Sequence, residues 1–401
     1  MKILYLAGDY YKIFYEAHIR GIIYNFPSHH QIFLLTPMGW KFNENGNVKI
    51  IKIEDSKSKQ NPIIGRIKVI NYLTKIGLKV LKNEQIDMIY SRDGIASIVT
   101  LLINVITKIP FALEINSIMS NDQEVKLWVR KNRIIIKLLS FLIKLLEKYL
   151  FCKASLLFVC SSGNLKKEFI EKKYKVDNKK IISVTNAADP DILRPMDKSE
   201  ARRMLGLNSG LFYIVYVGVI DVWRGVEQLI KAIPLIMEKV QNVCFLIVGD
   251  GPEKENIIQE AVSLGVHEKI IFAGRVPFEK VSLFINAGDI CVATFTGDQS
   301  NPIRFSPLKL FEYMACSRPI VSTNIPGWLD EYISETGSGI LIPSEDPQEL
   351  ANAIIRLLKD KTLREEMGRK GREAVVNKYN WVNIARRTAE ECEKALAERK
   401  K

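Results

Sequence analysis

The first half of the chain alternates short apolar runs with longer amphipathic segments, and this alternation constrains its fold more than any other feature. The predicted strands are Ile3–Ala7, Gln31–Thr36, Lys49–Ile53, Asp87–Arg92 and Phe111–Asn116. Helices are predicted around His18–Ile23 and over Arg66–Lys82. Such alternation predicts an α/β fold with a parallel sheet and helices on both faces. The pattern restarts at Tyr213–Val217, and 401 residues suffice for two domains of ordinary size.

The composition is that of a globular protein, with no sign of disorder. The six cysteines form no Cys-x-x-Cys pair, so we expect reduced thiols in a cytoplasmic protein rather than metal ligands. No signal peptide is expected, because the first apolar run is short and resembles a strand. The uncharged stretches 21–40 and 94–107 are too broken or too short to span a bilayer.

The net charge is unevenly distributed between the two halves. Residues 1–195 carry 31 Lys and Arg against 17 Asp and Glu, a net charge of +14, whereas residues 196–401 carry −1. A basic half beside a neutral one indicates an anionic partner for the first half. No aromatic–basic motif typical of nucleic-acid binding is present, so we favour anionic lipid and expect no nucleic-acid partner. A basic cleft for a soluble anionic glycan is the alternative.

Residues 130–151 form a predicted basic amphipathic helix. Arg133, Lys137, Lys144 and Lys148 lie on one face, and Ile, Leu and Phe fill most of the rest. This pattern is used at membrane surfaces and predicts peripheral attachment to the inner face of a membrane. A core helix with a solvated basic stripe is the alternative, and both interpretations stay open.

A second distinctive stretch begins at Ser306 and predicts a helix followed by a strand. Ser306 can cap the helix, and Pro307 suits the first helical position because its missing N–H has no intrahelical partner. Pro319 ends the helix, and a strand restarts at Ile320.

The start of this helix is a predicted anion site. The N–H groups of Leu308 to Leu310 are expected to open toward the carboxyl edge of a sheet, where anions bind. Lys309 and Glu312 are three residues apart and share a helix face. The site would offer a cation to phosphate and a carboxylate to hydroxyl groups. An ordinary strand–helix–strand unit with a surface Lys–Glu pair is the alternative.

Two glycine turns follow predicted strands in the second half. The first, starting at Gly218, ends in Arg224-Gly225, where the guanidinium can grip a diphosphate with two hydrogen bonds. The second, Gly249-Asp250-Gly251-Pro252, lacks the third glycine of a dinucleotide fingerprint. A structural turn with a surface Arg is the alternative for the first.

The stretch from Ser306 to Ala315 resembles the signature helix of the nucleotide-sugar glycosyltransferases of family 4, and the two glycine turns resemble further motifs of that family. The resemblance implies a GT-B fold, with two Rossmann-like domains facing across a cleft and a C-terminal helix crossing back to the first domain. The implied domains are 1–195 for the acceptor, 196–380 for the donor nucleotide, and 381–401 for the returning helix. The implied activity is metal-independent, retaining transfer of a hexose from a nucleoside-diphosphate sugar to a hydroxyl of a glycan, lipid-linked or lipid acceptor, without a cofactor.

The resemblance also implies roles for single residues. Catalytic roles fall to Arg224, Lys309 and Glu312. Donor binding is implied for Gly218, Gly225, Gly249, Asp250, Arg275, Val276, Pro307 and Leu308. Acceptor-side positions are His18, Arg92, Glu114 and Asn116, of which His18 has a purely structural role as its alternative.

Two positions depart from the family pattern. Val219 replaces a cation of the phosphate loop, and Arg304 replaces a Glu that lies near the sugar ring in relatives. Two alternatives therefore stay open, a sugar-nucleotide epimerase on the same fold and a non-catalytic sugar-nucleotide-binding protein. Asp189-Pro190-Asp191 also matches Asp-x-Asp, the metal-binding motif of a different glycosyltransferase fold. Its position in the sequence favours an interdomain linker instead.

Overall fold

The computed structural model describes residues 1–7, 16–37, 42–53, 62–92, 94–116, 133–160, 165–296, 307–325 and 329–399. The described residues form two compact units. Those up to Thr185 and those from Trp381 onward belong to the first unit, and those between Asn186 and Asn380 to the second.

The first unit is built on a seven-stranded parallel sheet. Its strands are β1 Lys2–Leu6, β2 Gln31–Pro37, β3 Val48–Ile53, β4 Met88–Arg92, β5 Phe111–Ile115, β6 Leu156–Cys160 and β7 Ile181–Val184. They lie in the order β3-β2-β1-β4-β5-β6-β7. The order reverses between β1 and β4, and the carboxyl ends of the strands at such a reversal are where ligands bind in open α/β sheets.

Five helices accompany this sheet, and four of them bury their apolar sides in one core. The helices are α1 Glu16–Tyr24, α2 Pro62–Asn83, α3 Ile95–Thr107, α4 Arg133–Lys153 and α5 Leu165–Tyr174. Leu73 of α2, Ile103 of α3, Ile143 of α4 and Ile170 of α5 share a core with Leu4 of β1. The parallel sheet with covering helices confirms the predicted fold class.

The second unit contains a six-stranded parallel sheet of the same kind. Its strands are β8 Phe212–Val217, β9 Val243–Val248, β10 Ile270–Gly274, β11 Ile290–Ala293, β12 Ile320–Thr323 and β13 Gly339–Ile342. The order is β10-β9-β8-β11-β12-β13, which reverses between β8 and β11.

Helices cover both faces of the second sheet. They are α6 Lys198–Met204, α7 Val226–Met237, α8 Lys254–Ser263, α9 Phe278–Ala287, α10 Leu308–Ala315, α11 Asp330–Ile333, α12 Pro347–Lys359 and α13 Lys361–Asn377. Alternate residues of β8 point to opposite faces. Ile214 belongs to the same hydrophobic core as Leu229 of α7. Val215 belongs to a different core, which contains Phe311 of α10.

The last helix, α14 Trp381–Arg399, belongs to the first unit and packs against α1. Its first residue fits a slot at Gly21 of α1, where a Cβ atom would lie 2.2 Å from Cδ2 of the Trp381 indole. Any larger residue at position 21 would therefore displace the indole. The helix thus belongs with the first unit, as the resemblance implied.

Helix α4 has an outer face that is both apolar and basic. Its inner face is fixed by a hydrogen bond, in which the Tyr174 hydroxyl donates to Oε2 of Glu147 at 2.9 Å. Five large apolar residues of this face are 47–59% exposed, namely Leu138, Phe141, Leu142, Leu145 and Tyr149. Lys137, Lys144 and Lys148 are exposed on the same helix. Within the described ranges, no helix has the length and apolarity needed to cross a bilayer.

Candidate functional site

Tyr313 of α10 fixes this helix to the carboxyl ends of two neighbouring strands. Its hydroxyl accepts a hydrogen bond from the backbone N–H of Val217 at 2.8 Å and lies 3.3 Å from the carbonyl oxygen of Val292. Because Val217 ends β8 and Val292 lies in β11, the helix is held at the point where the strand order reverses. This is the sheet position at which the sequence predicted a ligand.

The start of α10 differs in one detail from the prediction. Pro307 occupies the N-cap position rather than the first helical position, and the helix begins at Leu308. The N–H of Leu310 donates to the Pro307 carbonyl at 3.3 Å, because the first turn tightens to an i to i+3 bond. Among the described residues, only the N–H groups of Leu308 and Lys309 therefore lack a backbone partner in this turn. The expectation that the Leu310 amide is open was wrong, and Ser306 and Arg304 lie outside the described residues.

Lys309 carries its ammonium group into an apolar, aromatic environment. Its Nζ lies 4.0 Å from the centroid of the Tyr216 ring and has no hydrogen-bond partner among the described residues. Burial, together with the positive charge of Arg224, holds the pKa of Lys309 well below its ordinary value. An anion bound here would gain a strong partner, because little water competes for the ammonium.

Gly218 makes room for this ammonium. A Cβ at this position would lie 2.8 Å from Nζ of Lys309, and the backbone φ of +147° is one that favours glycine. The loop also carries Val219, whose carbonyl oxygen accepts a hydrogen bond from the Tyr216 hydroxyl at 2.7 Å. Tyr216 is thereby fixed as a platform under Lys309.

Glu312 lies one turn after Lys309, and although part of the residue reaches the surface, protein surrounds most of its side chain. Burial raises the pKa of Glu312 to about 7, and the neighbouring charge of Lys309 acts in the opposite direction. The two side chains are thus close enough for each to shift the pKa of the other, as expected for residues that share a helix face. The carboxyl group changes its charge near neutral pH.

Arg224 ends a short 3₁₀ turn, Val222–Arg224, that is fixed at both ends. Asp221 accepts a hydrogen bond from the N–H of Trp223 at 3.0 Å, and the Thr294 hydroxyl donates to the carbonyl oxygen of Arg224, also at 3.0 Å. The guanidinium itself is held loosely, since its Nε lies 3.8 Å from the Asp221 carboxylate and 29% of the side chain is exposed. Such a group is free to turn toward an anion.

The loops after β8, β9 and β10 are tied together at the same edge of the sheet. A Cβ at Gly249 would lie 1.8 Å from the carbonyl oxygen of Gly218, so only glycine fits between the first two loops. The Gly249 N–H donates to the carbonyl oxygen of Gly274 at 2.8 Å, which adds the third loop. Asp250 and Arg275 are exposed on these loops, whereas Gly225 is buried and Val276 partly buried.

The first unit contains a separate polar cluster around Glu114. Its Oε1 accepts from Asn116 Nδ2 at 3.0 Å and lies 3.0 Å from His18 Nε2 and 3.1 Å from Arg92 Nε. The hydroxyl of Tyr90 donates to Oε2 at 3.0 Å. Burial would raise the pKa of Glu114, but His18 and Arg92 outweigh it and hold the pKa well below the usual range. All four residues predicted on the acceptor side thus meet at the carboxyl edge of this sheet.

His18 is buried, which fits its structural alternative. Its ring meets the Trp381 indole edge-on, with 5.1 Å between centroids. Sequence reasoning missed Tyr90 and Trp381 as members of this cluster. Tyr90 precedes Arg92 by two residues on the same strand, so a period of two would have placed both on one face. No comparable signal points to Trp381.

The Asp189-Pro190-Asp191 segment forms a tight turn in the second unit. Oδ1 of Asp189 accepts hydrogen bonds from the backbone N–H groups of Asp191 at 2.9 Å and Ile192 at 3.2 Å. Arg372 donates to the carbonyl oxygen of Pro190 at 2.9 Å. Since the Asp189 carboxylate already closes this turn, the geometry favours the linker interpretation over the metal motif.

Comparisons with known proteins find similarity to glycosyltransferases over part of the chain. Residues 212–360 match the family model described as "Glycosyl transferases group 1". The chain is also similar to the D-inositol 3-phosphate glycosyltransferase of Acidothermus cellulolyticus, with 30% identity over 236 residues that cover 57% of this chain and 51% of the relative. The chain spans about half the length of the curated relatives it matches.

Solved structures resemble the fold over nearly the whole chain. The sucrose-phosphate synthase of Thermosynechococcus elongatus is 18% identical, with a TM-score of 0.77 over 99% of this chain and 100% of that one. HepE of Anabaena, solved in complex with UDP, is 17% identical, with a TM-score of 0.72 over 98% of this chain and 100% of that one. These neighbours have the GT-B architecture of two Rossmann-like domains, and at such low identity the likeness concerns the fold alone.

Proposed function

We propose that the chain is a glycosyltransferase that moves a sugar from a nucleoside-diphosphate sugar to a hydroxyl group. The observation that carries the proposal is Lys309, a buried ammonium group without a hydrogen-bond partner among the described residues, in the first turn of α10. The group 1 match covers this helix, and a neighbour in fold was solved with UDP. A diphosphate is the anion that fits this position.

The chemistry follows from the charge that develops when the donor breaks. As the glycosidic bond to the diphosphate lengthens, negative charge collects on the departing oxygen. Lys309, the N–H groups of Leu308 and Lys309, and a reoriented Arg224 would stabilise that charge. The departing phosphate would take the proton of the attacking hydroxyl, with retention at the anomeric carbon. Two protein cations would serve in place of a bound metal ion.

Glu312 is the proposed partner of the donor's ribose. Its carboxylate lies one turn deeper than the phosphate-binding turn and can accept hydrogen bonds from two vicinal hydroxyls. The fixed loops at Gly218, Gly249 and Gly274 would let the nucleoside lie close to the backbone. Val276 and Arg275, which follow the third loop, are proposed to contact the base.

The acceptor is proposed to be a hydroxyl of a glycan, a lipid-linked sugar or a lipid, bound by the first unit near the Glu114 cluster. The ionised Glu114 holds Arg92 and Asn116 in fixed orientations, so the cluster forms an ordered polar surface at the carboxyl edge of this sheet. The similarity to a D-inositol 3-phosphate glycosyltransferase supports transfer to a hydroxyl acceptor.

The outer face of α4 supports attachment of the first unit to an anionic membrane. If α4 were a core helix with a solvated basic stripe, Lys137, Lys144 and Lys148 would be exposed, as they are. That interpretation does not explain why the apolar residues beside them on α4 are about half exposed. Apolar side chains that enter the interface and lysines that meet lipid phosphates account for both. A lipid or lipid-linked acceptor would then be available at the same surface.

The decisive experiment combines a binding panel with a product assay. A panel of sugar nucleotides is screened by thermal shift, where a donor at 100 Kd should stabilise the protein by roughly 2.7 kcal/mol. The stabilising donor is then incubated with candidate acceptors, with and without a chelator. We expect a glycosylated product and activity that survives the chelator. Conversion of the sugar nucleotide without an acceptor product would favour an epimerase, and binding without any turnover a non-catalytic protein.

A further inference from the structure

Three side chains of types that bind metal ions meet at the amino edge of the first sheet. His29 and His30 directly precede β2, and Glu393 lies near the end of α14. One potential ligand atom from each residue lies within 4.8 Å of the other two. The group is distant in the fold from the Glu114 cluster, which occupies the carboxyl edge of the same sheet.

The spacing of these atoms fits zinc better than it fits a hydrogen bond. Oε1 of Glu393 lies 3.3 Å from His30 Nε2 and 3.5 Å from His29 Nε2. Ligands that surround Zn²⁺ tetrahedrally at about 2.0–2.1 Å lie about 3.3 Å from one another. His30 Nε2 is buried and makes no hydrogen bond with any described residue, despite the short distance to Glu393. The two distances from the carboxylate oxygen to the imidazole nitrogens therefore match two edges of the tetrahedron that ligands form around zinc.

The surroundings hold His30 rigidly and leave an approach for an ion. Only 1% of the His30 side chain is exposed, and its other nitrogen, Nδ1, lies 3.1 Å from the Met1 nitrogen. Nε2 is therefore the ring nitrogen that faces Glu393. His29 is largely exposed and Glu393 about half exposed, so an ion can enter from solvent and keep a water molecule as its fourth ligand.

We propose that His29, His30 and Glu393 bind one Zn²⁺ ion that joins the turn before β2 to the last helix. Two imidazoles and a carboxylate suit zinc among the common divalent ions. Because Glu393 is remote in sequence from His29 and His30, the complete site exists only in the folded state, so the ion binds that state more tightly and stabilises the attachment of α14. The site is independent of the proposed transferase activity.

The test uses the full chain without a histidine tag, stripped of metal and titrated with Zn²⁺ against a chromophoric chelator. We expect one Zn²⁺ per chain and a rise in Tm with zinc. The exposed ligands are replaced in His29→Asn and Glu393→Gln, which leave the core intact. Each substitution should weaken zinc binding about 100-fold or more, which exceeds the roughly 10–100-fold loss on mutating a residue that only hydrogen-bonds to a ligand. Each should also abolish the zinc-dependent rise in Tm.

Matched controls come from the same chain. His267→Asn replaces a partly exposed His whose ring nitrogen lies 3.8 Å from Glu268 in the second unit, and Glu390→Gln replaces an exposed Glu of α14. Both should bind zinc as the unsubstituted protein does, and all four variants should share its Tm without metal. Absence of stoichiometric zinc, or equal affinity in the ligand and control variants, would overturn the proposal.

Discussion

The Nζ atom of Lys309 lies 4.0 Å from the centroid of the Tyr216 ring, in contact with a π face instead of a carboxylate. A cation over an aromatic ring keeps part of its electrostatic stabilisation without a counter-ion. The ammonium is thus ready for an anion from outside the protein. The buried ammonium group, which lacks a counter-ion, therefore lowers the stability of the protein when no anion is bound.

Lys309→Met should therefore separate stability from function. Replacing a desolvated ammonium by an apolar chain of similar length should leave the Tm unchanged or raise it. Loss of the charge should lower kcat/KM by about 10²–10³-fold. Thermal unfolding and initial rates measure the two effects, with Lys231→Met, at an exposed lysine paired with Glu227, as the control. A variant that loses stability but keeps its turnover would contradict the assigned role.

Glu312→Gln tests the carboxylate at the ribose position. It should weaken donor binding by about 1–3 kcal/mol, the scale of hydrogen bonds to a charged group. Because the carboxyl pKa is about 7, donor affinity of the unsubstituted protein should rise as the pH increases through 7, and this dependence should vanish in the variant. Calorimetric titrations of the donor at pH 6 and 8 measure the affinity of both proteins. If the affinity depended on pH in the same way in both, Glu312 would not have this role.

The same pKa has a consequence for stability. The folded protein holds its Glu312 proton up to about pH 7, whereas an ordinary carboxyl group loses it near 4.5. Between these values the folded state binds more protons than the unfolded chain, so stability falls as the pH rises and levels off above 7. Glu312→Gln should remove this part of the pH dependence of Tm.

Arg224→Ala should lower kcat/KM by about 10²-fold, because a donor to the departing diphosphate is lost. Arg224→Lys should restore part of the rate, since it keeps the charge but not the fork of two donors. The side chain is partly exposed, and among the described residues it makes a 3.8 Å contact with Asp221 and lies 5.9 Å from the Phe295 ring centroid, so neither change should lower Tm appreciably. Steady-state rates of both variants provide the measurement. Equal rates for the Ala and Lys variants would mean that the charge has no part in the reaction.

Gly21→Ala should destabilise the first unit. The new Cβ would lie 2.2 Å from the Trp381 indole, and overpacking of this kind costs about 1–3 kcal/mol. Gly46→Ala is the matched control, because a Cβ there would meet no atom within 4 Å. Denaturant unfolding compares the two, and equal midpoints would show that the indole is not fixed in its slot.

Membrane attachment predicts co-sedimentation with anionic liposomes at low salt and its loss at high salt. Replacing Lys137, Lys144 and Lys148 by Gln should release the protein, because each lysine contributes about 1 kcal/mol near an anionic leaflet. Replacing Phe141 and Leu145 by Ser should weaken binding without changing charge. Gln at Lys361, Lys370 and Lys378 removes the same charge from the second unit and should have no effect. Protein that stays in the supernatant with anionic vesicles would refute attachment.

Local patterns allowed most of the fold to be predicted, because strand length, helix periodicity and capping depend on neighbouring residues. The cluster of His18, Arg92, Glu114 and Asn116 was partly foreseeable, since parallel strands bring their carboxyl ends to one edge. The slot of Gly21 for Trp381 was not, because the two residues are remote in sequence and meet only through packing. The exposure of Phe141 likewise depends on which face of α4 the sheet covers, and periodicity alone does not determine this.

The return of α14 to the first unit also bears on how the protein folds during synthesis. Domains generally fold in order as the chain leaves the ribosome. Here the slot beside Gly21 and His18 stays empty until Trp381 emerges, after all of the second unit has been made. The unit that begins first is therefore completed last, and until then its α1 surface is exposed to chaperones, proteases and other nascent chains.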